Sequence, residues 1–96
     1  MNEVVIKKSV SGAYECKAVS ETGRAIKLLV PVSTYSRILE HVVPNKSDVA
    51  IRWLFEAKYD QHEPDLGTLD SREVDGLFSD IRAKKRYETG GWAKPE

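Results

Sequence analysis

Residues 69–87, LDSREVDGLFSDIRAKKRY, constrain the fold more than any other stretch, because both ends of a helix are written into them. Asp70 stands where an N-cap belongs and Glu73 follows three residues on. That spacing is a capping box: the Asp70 carboxylate accepts from a first-turn N–H, and Glu73 reaches back to the Asp70 amide. Leu69 and Val74 fill the hydrophobic-staple positions on either side of the cap. Val74, Leu77, Phe78 and Ile81 then recur at i, i+3, i+4 and i+7, one apolar stripe for a core. Acids occupy the first turns and Arg82, Lys84, Lys85 and Arg86 the last, as the helix dipole favours. Gly76 falls on the polar side, where it would let another backbone approach, and Gly90-Gly91 supplies the stop.

The remainder of the chain must supply what this helix packs on. Residues 3–9, EVVIKKS, read as an edge strand whose Lys7 and Lys8 block further pairing. Residues 13–19 and 24–32 read as a hairpin. Their connection ends in Gly23, which fits a type I turn closed by a left-handed glycine. Ser33 is placed to cap a short helix carrying Tyr35, Ile38, Leu39 and Val42, and Pro44 ends it. Residues 48–59, DVAIRWLFEAKY, fit a strand better than a helix. Period two puts Val49, Ile51, Trp53, Phe55, Ala57 and Tyr59 on one face, whereas the helical arc through Val49, Ala50, Trp53, Leu54 and Ala57 leaves Ile51, Phe55 and Tyr59 outside. The expectation is an α+β fold of order β-β-β-α-β-α. It has an antiparallel sheet of three to four strands, two helices on one face, and the other face open to water or a partner. Residues 1–88 form one domain and 89–96 a tail.

Composition narrows the class. Fifteen basic and fifteen acidic residues cancel, which argues against a general polyanion binder while permitting a local patch. A lone cysteine, Cys16, makes no internal disulfide, and residues 1–9 contain no apolar signal-peptide core. No window approaches the ~18 apolar residues of a membrane span. A cytoplasmic protein without membrane attachment is expected.

No spacing marks a catalytic, cofactor or metal site. The loop Asp60-Gln61-His62-Glu63-Pro64-Asp65 is rich in acids but lacks both the ligand set of a zinc site and the register of a calcium loop. Glu15-Cys16-Lys17 and Glu56-Ala57-Lys58 resemble the Glu-x-Lys of metal-dependent nucleases, yet no further acid is placed to join them, and such pairs are ordinary on half-exposed strands. Cys16, between Tyr14 and Ala18 on an apolar face, reads as a buried thiol.

The expected function is therefore non-catalytic: a binding or accessory protein acting through protein–protein contacts, with a homodimer as one arrangement, by the open sheet face or Trp92. The alternative is nucleic-acid binding by the basic helix end. Arg82, Lys85 and Arg86 share one arc for phosphates, and Tyr87 and Trp92 are nearby for stacking.

Overall fold

The computed structural model describes residues 3–62, 67–84 and 91–94, with the backbone alone for 60–62 and 84. The fold is α+β: three antiparallel strands β1 (Val5–Lys8), β2 (Tyr14–Val19) and β3 (Ala25–Val30), then helices α1 (Val32–His41) and α2 (Ser47–His62), a short strand β4 (Gly67–Thr68), and helix α3 (Ser71–Lys84). The sheet order is β1-β2-β3-β4. β4 runs parallel to β3, pairing Gly67 with Leu28 and Thr68 with Leu29, so the sheet is mixed rather than antiparallel throughout. The turn between β2 and β3 is the expected one. Gly23 sits at φ 84, its N–H donates to the Ser20 carbonyl, and the Ser20 N–H donates to the Arg24 carbonyl.

Alternation sorts the strands cleanly. Cys16 and Ala18 on β2 and Ile26, Leu28 and Val30 on β3 are buried, whereas Glu15, Lys17, Val19, Ala25, Lys27 and Leu29 are exposed. The buried set joins the apolar faces of the helices in one core, in which Phe55, Phe78, Ile26, Leu28 and Ile38 are the largest fully buried side chains. Each such side chain contributes about 1.5–3 kcal/mol by leaving water.

Residues 48–59 lie within helix α2, not a strand, so the described residues form three helices in the order β-β-β-α-α-β-α. Its buried positions are Ala50, Ile51, Leu54, Phe55 and Lys58, a helical set at i, i+1, i+4, i+5 and i+8. Val49, expected to face inward on a strand, is instead 41% exposed. The buried arc is displaced by one residue from Val49, Ala50, Trp53, Leu54 and Ala57, and it contains a lysine.

The α1 cap also differs. Pro31 is the N-cap, in extended conformation with no side-chain cap bond, and Ser33 lies inside the helix. Pro31 suits that boundary because it lacks the N–H that a first turn leaves unpaired. Leu39 is 46% exposed, and the buried positions of α1 are Ile38 and Thr34, whose hydroxyl donates to the Leu69 carbonyl at 2.8 Å. Asn45, at φ 67, turns the chain from α1 into α2, a backbone region Asn tolerates well.

The α3 cap forms as expected. The Asp70 carboxylate accepts from the Arg72 N–H at 2.6 Å and the Glu73 N–H at 3.4 Å, and Glu73 accepts from the Asp70 N–H at 3.1 Å. Leu69, Val74, Phe78 and Ile81 are buried, with Leu77 at the margin. Gly76 has open space where a Cβ would stand, so no other backbone among the described residues approaches it.

Candidate functional site

Two regions gather residues with chemical potential: the junction of α1, α3 and the 91–94 segment, and the uncovered face of the sheet. At the junction, His41 Nε2 lies 2.8 Å from Asp75 Oδ1, and His41 Nδ1 lies 2.8 Å from Arg82 Nη2. A guanidinium only donates, so Nδ1 accepts and the ring proton resides on Nε2, donated to Asp75. The imidazole stacks on Phe78 at 4.6 Å with the rings 7° apart. Arg37 Nε approaches the same Asp75 oxygen at 3.4 Å. With both ring nitrogens engaged, His41 has no nitrogen left to act as a base or ligate a metal. This cluster pins α1 to α3.

The C-terminal segment closes over the same corner. The Val43 N–H donates to the Trp92 carbonyl and the Lys94 N–H to the His41 carbonyl, each at 2.8 Å, around an antiparallel bridge between Val42 and Ala93. The indole of Trp92 meets Phe78 edge-on at 5.7 Å and Trp53 at 6.0 Å, and is 7% exposed. Aromatic edge-to-face packing of this kind adds to the area term.

Of the residues singled out in the sequence, Trp92 is thus in the core of its own chain, and Arg82 directs a guanidinium nitrogen at His41. Lys85, Arg86 and Tyr87 lie outside the described residues, as do Glu63, Pro64 and Asp65 of the acidic loop, whereas Asp60, Gln61 and His62 close helix α2. Cys16 is fully buried, and burial pushes its thiol up to about 11 against the opposing influence of Arg52. The phenol of Tyr14 is likewise raised, by its hydrogen bond with Tyr35, by burial, and by the charges of Tyr35 and Asp48. Tyr14 and Tyr35 stack at 4.3 Å, and the Tyr35 hydroxyl donates to Ser47 Oγ at the start of α2. Among the described residues no three His, Cys, Asp or Glu side chains converge as a cation site. No helix among them is long and apolar enough to cross a membrane.

The uncovered sheet face is the larger feature. Strand register arranges its residues in rows: Lys7, Glu15 and Leu29 across β1, β2 and β3 in one, and Val5, Lys17 and Lys27 in the next. Val19 and Ala25 follow as partners beyond them. Val5 is 52%, Val19 39% and Leu29 39% exposed, so branched aliphatic side chains stand among the lysines. An open trough of about 250 Å³ is walled by Glu3, Val5, Lys17, Val19, Ala25 and Lys27. Lys17 and Lys27 are directly opposite, and like charges in that position are unfavourable. Neither side chain forms a hydrogen bond or ion pair among the described residues. The alternating pattern already carried this face. The His41–Asp75–Arg82 cluster carried no local signal, since it joins positions on two facing helices. Comparison of the chain with protein-family models, curated proteins and solved structures yields no match.

Proposed function

We propose that this chain is a small non-catalytic binding module that engages another protein through the uncovered face of its sheet. One observation carries the reading. The helices cover one side of the sheet, and the other presents Val5, Val19 and Leu29 to solvent between charged side chains. Exposed aliphatic side chains grouped on a regular face favour protein contact over simple solvation. Trp92, the alternative contact residue, is occupied within its own chain. A second copy docked about a two-fold axis through the Lys17–Lys27 row would oppose lysine to lysine, so a different partner is preferred over a homodimer. Nucleic-acid contact through Arg82, Lys85 and Arg86 has less support, because Arg82 is committed in part to His41. One unpaired cysteine fits a reducing compartment, and the proposal places the protein in the cytoplasm.

The test is site-specific photo-cross-linking in cells. A cross-linking residue at Leu29 yields a discrete protein adduct, and the same residue at Glu40 on α1 does not. The adduct disappears when Val19→Asp is added, and the identified partner binds the purified chain. No adduct from Leu29, or equal adducts from both positions, overturns the reading.

A further inference from the structure

Lys17 and Lys27 face each other across β2 and β3 with no anionic partner among the described residues, and aliphatic walls lie to one side. Glu3 also borders the trough but forms no ion pair with either lysine. In the next row, by contrast, Lys7 is opposite Glu15, an opposite-charge pairing that sheets favour. Among the described residues the sheet therefore carries a like-charge row with no ion pair of its own beside an exposed apolar surface. A carboxylate set between two ammonium groups would remove that repulsion and gain two charge-assisted hydrogen bonds.

We propose that Lys17 and Lys27 act as a carboxylate clamp, and that the adjoining trough takes branched aliphatic side chains of the same partner segment. The occupant is a stretch of another protein in which an acidic residue neighbours leucine, isoleucine or valine. This rests on the reading of the sheet face as a protein-docking surface and specifies what it recognises.

The charge pattern and shape select a protein over other anions. The outer face has no aromatic ring among the described strand residues on which a base could stack, and Glu3 and Glu15 would repel a phosphate backbone. A trough of about 250 Å³, open along its length, is below the size that sequesters an acyl chain or a drug-sized ligand. It suits side chains delivered from a surface that covers the rest.

The experiment is an amide-resonance titration of the full chain with three short synthetic peptides that alternate leucine with aspartate, serine or lysine. The leucine–aspartate peptide is expected to shift Lys17, Val19, Ala25 and Lys27 saturably. It binds about fivefold less tightly to Lys17→Gln/Lys27→Gln, the scale of two exposed ion pairs, and its affinity falls with added salt. Lys17→Glu/Lys27→Glu reverses the preference towards the leucine–lysine peptide, which also shows that the doubly substituted chain is folded. Equal binding of the aspartate and serine peptides overturns the clamp while leaving the docking face intact. No shift with any peptide at millimolar concentration overturns the clamp, and the docking face then stands or falls on the cross-linking from Leu29. Tighter perturbation of the same amides by oligothymidylate, by anionic vesicles, or by raising the protein's own concentration assigns the face to a different occupant and overturns the proposal.

Discussion

Lys58, on α2, places its ammonium 3.0 Å from both carboxylate oxygens of Glu73, the residue that closes the capping box of α3. The same ammonium donates to the Thr68 carbonyl at 2.8 Å, so one buried cation serves β4, the cap of α3 and its own helix. Removing the carboxylate alone leaves that cation without its counter-charge and the Asp70 N–H without its acceptor. Glu73→Ala is expected to cost about 2 kcal/mol, less than a fully buried pair because Glu73 is partly exposed. Lys58→Met/Glu73→Ala should recover part of that loss, read as coupling between the two sites in urea titrations.

His41 is predicted to be a pure Nε2–H tautomer in the neutral state, since Arg82 leaves Nδ1 only an acceptor role. Long-range ¹⁵N–¹H correlation of the ring reports this directly. Equal shifts for the two nitrogens would contradict it. Arg82→Ala frees Nδ1 and should mix the tautomers.

Trp92→Ala should destabilise the fold by about 3 kcal/mol, the usual cost of deleting a large buried aromatic. The loss reflects packing against Trp53 and Phe78, and thermal melting measures it. The substitution should also move the emission of Trp53 to the red as water reaches its ring.

Cys16 makes stability depend on alkaline pH. Its thiol titrates near 11 in the fold against an ordinary 9.0, so the unfolded chain loses the proton first. Stability from this group is full below about pH 9 and declines as pH rises towards 11, by about 2–3 kcal/mol in all. Cys16→Ala should remove that component, seen as the difference between the two proteins' melting curves against pH. At neutral pH a thiol reagent should label Cys16 only as fast as the chain opens.

Lys27→Glu should stabilise the free protein by roughly 0.2–1 kcal/mol, because it turns a like-charge cross-strand pair into an opposite one. Urea midpoints with and without salt check the sign. The same change should weaken partner binding, a separation expected of residues kept for contact rather than folding.

The sheet and α3 were legible because their signals are local. Period-two alternation sorted Cys16, Ile26 and Leu28 from Lys17, Lys27 and Leu29, and the Asp70–Glu73 spacing set the start of α3. Helix α2 was not legible, for two physical reasons. It is packed on more than one side, with Ile51 and Phe55 in the core and Trp53 against Phe78 and Trp92, which blurs its amphipathicity. And one position of its buried arc is Lys58, a charge tolerated there only because Glu73 and the Thr68 carbonyl meet it. On the functional side, the lysine rows follow from alternation. The facing of Lys17 and Lys27 depends on strand register, which the turn at Gly23 sets.

The short parallel strand β4 has a kinetic consequence. β1, β2 and β3 are joined by tight turns and need only short loops to close, whereas Leu28 meets Gly67 only after both α1 and α2 have been laid down between them. The meander is thus positioned to form early, and the pairing of β4, with α3 behind it, to lock on late. Substitutions at Thr68 or Glu73 should then accelerate unfolding and leave the refolding rate nearly unchanged, while those in the β2–β3 hairpin should slow refolding.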